Sequence, residues 1–270
     1  MAQTLEHLSR KNDTLTSIRG IVHTMKTLSA INAAPYEQAA QSIESYHQAI
    51  LQGLASFVYR TGGVSVLSEA LQPNTQLLVV FGSDHGLCGN YNELLANKVV
   101  EYSEAVPMAK QHILCIGSRM GNALLEQDLS PDVVLMPPAS ADGVGRLAGD
   151  IVTRIERLGS GQALTNLAVT LVFTQRQEHG YQETVTRNLL PLDKSLLQPE
   201  QLWQSRSLPD YTMNSEALLA ALIRNHVFAS VFRASAEAMV TENATRLSLM
   251  QQAEQSVDEQ LESVQQELSS

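Results

Sequence analysis

The feature that most constrains this chain is residues 77–92, Leu-Leu-Val-Val-Phe-Gly-Ser-Asp-His-Gly-Leu-Cys-Gly-Asn-Tyr-Asn. A continuous apolar run needs burial on both faces, as in a central parallel strand. The glycine-rich turn and the helical pattern behind it are how such a strand feeds a covering helix. Long helical stretches without such units flank it on both sides. The expected architecture is a small α/β unit between two long terminal helices, and few functions need one.

The rhythm continues through residues 75–192. Strands are predicted at 77–81, 112–117, 133–136 and 167–174, and helices at 91–105, 118–128 and 143–158. Such a βαβ alternation implies a mostly parallel sheet with helices on its faces. A polar-alternating run at 182–190 adds a candidate edge strand. Residues 193–214 hold Pro199 and Pro209 and read as a loop.

The N-terminal stretch, 1–60, places Leu5, Leu8, Leu15, Ile18, Val22, Met25 and Leu28 on one helical stripe by steps of three and four. Pro35 is expected to kink or interrupt this helix, because it removes a backbone donor and crowds the preceding turn. At about 1.5 Å per residue the segment would be roughly 80 Å long, more than a small domain spans. Gly62-Gly63 should end it. Residues 215–268 contain neither glycine nor proline. Ser215 is the candidate cap. Met250, Ala253, Val257, Leu261, Val264 and Leu268 form a narrow coiled-coil seam within the C-terminal segment 211–270. Its natural partner is the N-terminal stripe, as an antiparallel pair.

Composition excludes several classes. The chain has 270 residues, 44% of them hydrophobic, and a formal net charge of −10. That length can bury a substantial core. Nucleic-acid binding needs a basic face, so no nucleic-acid partner is expected. Residues 1–4 lack the basic and apolar regions of a signal peptide. No run approaches about 18 uncharged apolar residues, so direct membrane insertion is not expected. Cys88 and Cys115 are not in a C-x-x-C pair. No zinc or other metal site is suggested, and a reducing compartment fits.

The Gly82–Gly89 turn could cradle a phosphate at a helix N-terminus. It matches neither G-x-G-x-x-G nor the Walker A pattern, and it carries no lysine or arginine. The structural reading, a strand-to-helix turn, is preferred, with no cofactor. Ser83, Asp84, His85 and Cys88 include triad residue types, but triads converge from separated elements and neighbours along a turn diverge. Cys88 reads as a small packed residue. Arg19, Lys26, Glu37, Arg233, Glu242 and Arg246 read as solvated charges on the helices. A bare helix pair protruding from a domain has less reason to exist unless something encloses it.

Four segments carry a resemblance. They are Ile21 to Ala30 with Met25, Ser83 to Asn92, Tyr211 to Leu219, and Thr241 to Met250. Together they resemble the gamma subunit of F-type ATP synthases, the central rotor shaft. The second is similar to the family's Ser-Asp-Arg-Gly-Leu-Cys-Gly-x-x-Asn and the fourth to its Ser-Glu-x-x-Ala-Arg-Met-x-Ala-Met. There are departures. His85 stands at the family's arginine, and Thr212-Met213 stand where Glu-Pro is common. The 211–270 shaft helix is acid-rich, and the family's terminal Arg-Gln and Ile-Thr elements do not follow Ser270. Glu242 to Arg246 is similar to the alternative F-type ATPases of some bacteria.

The resemblance implies two long terminal helices in an antiparallel coiled coil around a mostly parallel, Rossmann-like α/β domain. It implies a non-catalytic rotor subunit that couples ion flow through a membrane ring to ATP synthesis or hydrolysis in surrounding subunits. Its partners would be alpha and beta subunits, a small epsilon-type subunit and the membrane ion-binding ring. The location would be peripheral, on the cytoplasmic face of a bacterial inner membrane. Met25, Lys26, Arg246 and Met250 would lie on the shaft surface near the enclosing ring, with Met25 and Met250 open to a second reading as seam core. Ser83, Asp84 and Tyr211 would belong to the foot. The alternatives are a flavodoxin-like nucleotide-binding enzyme using the Gly82–Gly89 turn, and a dimerising coiled-coil scaffold.

Overall fold

A computed structural model describes residues 2–62, 73–159, 167–197 and 205–269. The central sheet is built from β1 (Thr75–Phe81), β2 (Lys110–Ile116), β3 (Val133–Leu135), β4 (Leu167–Arg176) and β5 (Gln182–Leu190) in the order β3-β2-β1-β4-β5. The β1–β2, β2–β3 and β1–β4 pairs are parallel, and β5 runs antiparallel to β4 at the edge. The candidate strand at 182–190 is therefore real and closes one side.

The uninterrupted apolar run of β1 is explained by helices on both faces. Leu77, Val79 and Phe81 pack with Leu147, Ile151 and Ile155 of α4 (Val144–Leu158) and with Ile223, Val227 and Val231 of α5 (Ser215–Ser269). Leu78 and Val80 face the other way, onto Leu95 and Val99 of α2 (Tyr91–Ala105) and Met120 and Leu124 of α3 (Ser118–Glu126). Each such side chain, fully buried, contributes about 1.5–3 kcal/mol. Half of α5 is thus a covering helix of the sheet.

The rest of α5 leaves the sheet and pairs with α1 (Ala2–Thr61). Contacts at Tyr46–Asn225 (3.0 Å), Glu44–Arg233 (2.6 Å) and Arg19–Asp258 (2.6 Å) run in opposite senses along the two helices, so the pair is antiparallel. Beyond the sheet, Leu15 meets Val257, Leu261 and Val264, flanked by Leu8 and Leu268. The seam is filled within one chain.

Two expectations are corrected. Helix α1 runs through Pro35 as one element. Pro35 and Ile31, whose carbonyl loses its intrahelical partner, are both exposed, so water can take the place of the missing donor. The start of α5 is capped by Asn214, not Ser215. Asn214 Oδ1 accepts from the amides of Glu216 (2.9 Å) and Ala217 (3.2 Å), while Ser215 Oγ pairs with the Tyr211 hydroxyl (2.9 Å). Thr61 ends α1 and Gly62 follows at φ +73°; Gly63 and Pro199 lie outside the described residues.

By length and composition α5 is apolar enough to cross a membrane. Its Ile223, Val227, Val231, Ala234 and Ala238 are instead part of the sheet core.

The shaft seam has few buried residues, so it should open locally without the sheet. Val264→Asp puts a charge at a buried seam position. Hydrogen exchange should then lose protection in 2–20 and 255–269 by more than tenfold, with 77–81 and 167–173 unchanged.

Candidate functional site

The Gly82–Gly89 turn stands where β1 ends and α2 begins. Gly82 N–H donates to the Ile116 carbonyl of β2 (3.0 Å). A Cβ at Gly117, which adopts φ +102°, would lie 2.3 Å from the Ser83 carbonyl oxygen. Only glycine permits that approach between the two strand exits. Asn92, on the first turn of α2, holds the turn from within. Its Oδ1 accepts from Ser83 N–H (2.8 Å) and its Nδ2 donates to Ser83 Oγ (2.8 Å). Ser83 Oγ donates to the His85 carbonyl (2.9 Å), not to the imidazole. Asp84 Oδ1 accepts from Ser118 N–H (3.0 Å) at the start of α3. Hydrogen bonds from Ser118, helped by His85 and Arg119 nearby, hold the Asp84 carboxyl below its ordinary range. The triad-type residues are engaged in building the turn.

The shaft helix grips this turn. Arg246 Nε donates to the Gly86 carbonyl (3.1 Å) and Nη2 to that of His85 (3.3 Å). Nη2 also meets Glu242 Oε1 at 2.7 Å, one helical turn away. Both side chains are about 95% buried. Burial pushes the Glu242 carboxyl up, and the Arg246 charge and hydrogen bond oppose that rise. A second knot lies beside the first. Tyr91 of α2 bonds the Ala238 carbonyl and Thr241 Oγ1, each at 2.9 Å, and Thr241 Oγ1 donates to the Thr174 carbonyl of β4 (3.1 Å). Burial raises the Tyr91 phenol. Above the clamp, Leu87 adopts φ +62° and leaves its side chain 52% exposed. An exposed leucine in the left-handed region is strained backbone kept by its surroundings, a pattern that clusters at functional sites.

The expected site residues fall into separate places. Arg246 and Met250 are buried, so neither lies on an exposed shaft face, and the reading of Glu242 and Arg246 as solvated charges is corrected. The fourfold step from Glu242 to Arg246 is common on solvated helices; the turn that covers it is some 160 residues away in sequence. Met25 and Lys26 are half-buried on α1, with the Lys26 ammonium bonded to the Glu254 carboxylate across the pair. His23 Nδ1 reaches the same carboxylate at 2.9 Å. Ser83 is fully buried and Asp84 partly so. Tyr211 stacks on Phe57 near the end of α1, ring centroids 5.7 Å apart. It is separated from the Ser83–Asp84 turn by the length of α5 between residues 215 and 246, about 45 Å at 1.5 Å per residue. The three expected foot residues therefore do not share one surface. Sequence reasoning missed Asn92, Glu242 and Leu87; an apolar residue between glycines of a turn was the available sign of the last.

Removing one member of a buried ion pair strands the other. Arg246→Ala should cost about 3–5 kcal/mol in urea unfolding, and Arg246→Met with Glu242→Leu should recover most of it. A loss under about 0.5 kcal/mol for Arg246→Ala would show that the clamp carries no stability.

Comparison with known proteins agrees with this geometry. The family model described as ATP synthase matches residues 4–269. The chain is 26% identical over 270 residues to the ATP synthase gamma chain of Dinoroseobacter shibae, covering 96% of this chain and 89% of that one. Its fold is similar to a chain in the rotor of the Euglena gracilis mitochondrial ATP synthase, with TM-score 0.64 and 16% identity over 100% of this chain and 97% of that one. It is likewise similar to a chain in the central stalk and c-ring structure of the Tetrahymena thermophila mitochondrial enzyme, with TM-score 0.60 and 18% identity over 86% and 99%. Neither the nucleotide-binding enzyme nor the dimerising scaffold finds support in these matches. The chain belongs to the ATP synthase gamma family, the subunits of the central stalk.

Proposed function

We propose that this chain is a non-catalytic rotor: the α1–α5 pair turns inside a ring of alpha and beta subunits, and the α/β domain with the adjoining helix ends forms the foot. The observation that carries this reading is a pair of helices continuing well past the sheet while leaving apolar side chains uncovered. Ile18, Ile21, Leu28 and Ile31 of α1 are 39–62% exposed, beyond what the α5 seam buries. Such a stripe on a protruding rod suits an apolar sleeve around it. Torque enters through the foot and favours one catalytic conformation after another by differential contact in each state.

Within this reading Met25 and Lys26 lie beside the exposed stripe and face the ring. Arg246 and Met250 act from beneath the surface, the first by fixing the turn that presents Leu87. Tyr211 belongs to the foot end, near the membrane ion-binding ring. Ser83 and Asp84 belong to the collar where the shaft leaves the domain. A small epsilon-type subunit completes the foot. This reading includes coupling of ion flow to ATP synthesis or hydrolysis and a peripheral place on the cytoplasmic face of a bacterial inner membrane; the likeness to the gamma family supports both. The reading needs no cofactor and no nucleic acid.

Exposed substitutions usually cost under about 0.5 kcal/mol, so Ile21→Asp and Leu28→Asp should leave folding intact. In assembled complexes both should lower ATP-driven ion pumping several-fold relative to ATP hydrolysis. Unchanged coupling in both variants would remove the stripe from the bearing. For the foot, a cross-linker placed at Tyr211→Cys should capture the membrane ring subunit; capture of nucleotide-binding subunits alone would put that end of the chain in the wrong place.

A further inference from the structure

A second polar cluster lies away from the clamp. Between α1, α5 and the β4–β5 edge is a cavity of about 250 Å³, lined among others by His47, His226, Arg187, Arg233 and Glu237. At its wall the two histidines bridge the long helices. His47 Nε2 of α1 and His226 Nδ1 of α5 are 2.9 Å apart, with ring centroids separated by 5.0 Å. A hydrogen bond between two imidazoles needs one N–H and one lone pair. At most one of the facing nitrogens can carry a proton while the bond stands.

The surroundings are hostile to a second proton. Arg233 of α5, Arg176 of β4 and Arg187 of β5 are positive. Of the nearby carboxylates, Glu44 of α1 bonds Arg233 (2.6 Å), Glu37 of α1 bonds Arg176 (2.6 Å), and Glu237 of α5 meets Arg176 through Oε1 (3.4 Å) while its Oε2 is buried without a partner. Asp193, after β5, accepts from Ser195 N–H (2.8 Å). Double protonation would set two N–H groups face to face and add charge beside Arg233.

We propose that the His47–His226 pair is an acid-sensitive latch between the two long helices, closed while only one facing nitrogen is protonated and released when both are. Burial drives His226 down to about 4 and is also the largest influence lowering His47; for His47, Glu44 opposes and Arg233 adds to the fall. The unfolded or opened chain therefore takes up protons first as pH falls below about 6.5. The latch contributes fully above that value and is lost progressively toward pH 4. Among the described residues the shaft seam has no such pair. Its His23 faces the Glu254 carboxylate and not a second imidazole. Acid should loosen the domain half of the helix pair and spare the shaft half.

The test uses the full chain and His226→Gln, with His47→Gln as a second variant. From His226 at about 4 folded and about 6.5 unfolded, its unfolding constant should rise about 25-fold between pH 7.5 and pH 5 in the wild type beyond any rise in His226→Gln. Hydrogen exchange in the wild type at pH 5, corrected for intrinsic rates, should show lost protection at 44–58 and 223–233 with 257–264 retained. Identical pH responses in the wild type and both variants would overturn the latch. Should His226→Gln fail to fold, nitrogen-15 spectra of the wild-type imidazoles decide. One proton shared between the facing nitrogens of the folded chain at pH 5.5 supports the latch, and N–H on both facing nitrogens with the helices still paired at that pH overturns it.

Discussion

Everything in this molecule depends on one helix serving two cores. The first half of α5 buries Ile223, Val227 and Val231 against the central strand, and the second half buries Val257, Leu261 and Val264 against α1. Because the same backbone runs through both, a rotation of the sheet about the helix axis is also a rotation of the protruding pair. A linker between two separately packed units would not transmit torsion in this way. The hydrogen bonds of a continuous helix hold its turns in register along their whole length.

Where α5 leaves the sheet its apolar contacts thin out, and polar bonds take over. Arg246 and Glu242 are buried at that level, with Tyr91 and Thr241 tying α2, α5 and β4 together one turn below. A buried ion pair is seldom the most stabilising choice of side chains. Its value here is geometric. The guanidinium fixes two carbonyls of a turn whose backbone includes a leucine at φ +62°, and so fixes the direction in which Leu87 projects. The exposed salt bridges along the shaft, such as Arg19–Asp258, are worth about 0–1 kcal/mol each and set register more than stability.

Much of this was legible in the sequence because periodicity reports burial directly. The uninterrupted run at 77–81, the shorter runs after it and the three-four spacing from Met250 to Leu268 each translate into a face that must be covered. Polar burial has no period. Arg246 looked solvated because a charge on a helix usually is; its partner is a loop carbonyl more than 150 residues away, which no local pattern encodes. Pro35 looked like a breaker because its fixed backbone cost is visible, whereas the exposure that lets water replace the lost bond is not. Ser83, Asp84 and Tyr211 were grouped by motif order, but position along a chain does not say which end of a long helix a segment will meet. Asn214 and Ser215 are both good caps, and the choice between them turned on the Tyr211 hydroxyl.

The proposed role is mechanical: the chain turns as one body inside a fixed ring. The most direct measurement is single-molecule rotation. A complex of this chain with the alpha and beta subunits proposed as its partners would be immobilised through the ring and labelled with a bead at Leu208→Cys, an exposed position just ahead of α5. With ATP supplied, the bead should rotate in one direction, in steps that slow as ATP is diluted. Steady ATP hydrolysis with a bead that does not turn would contradict a rotor role.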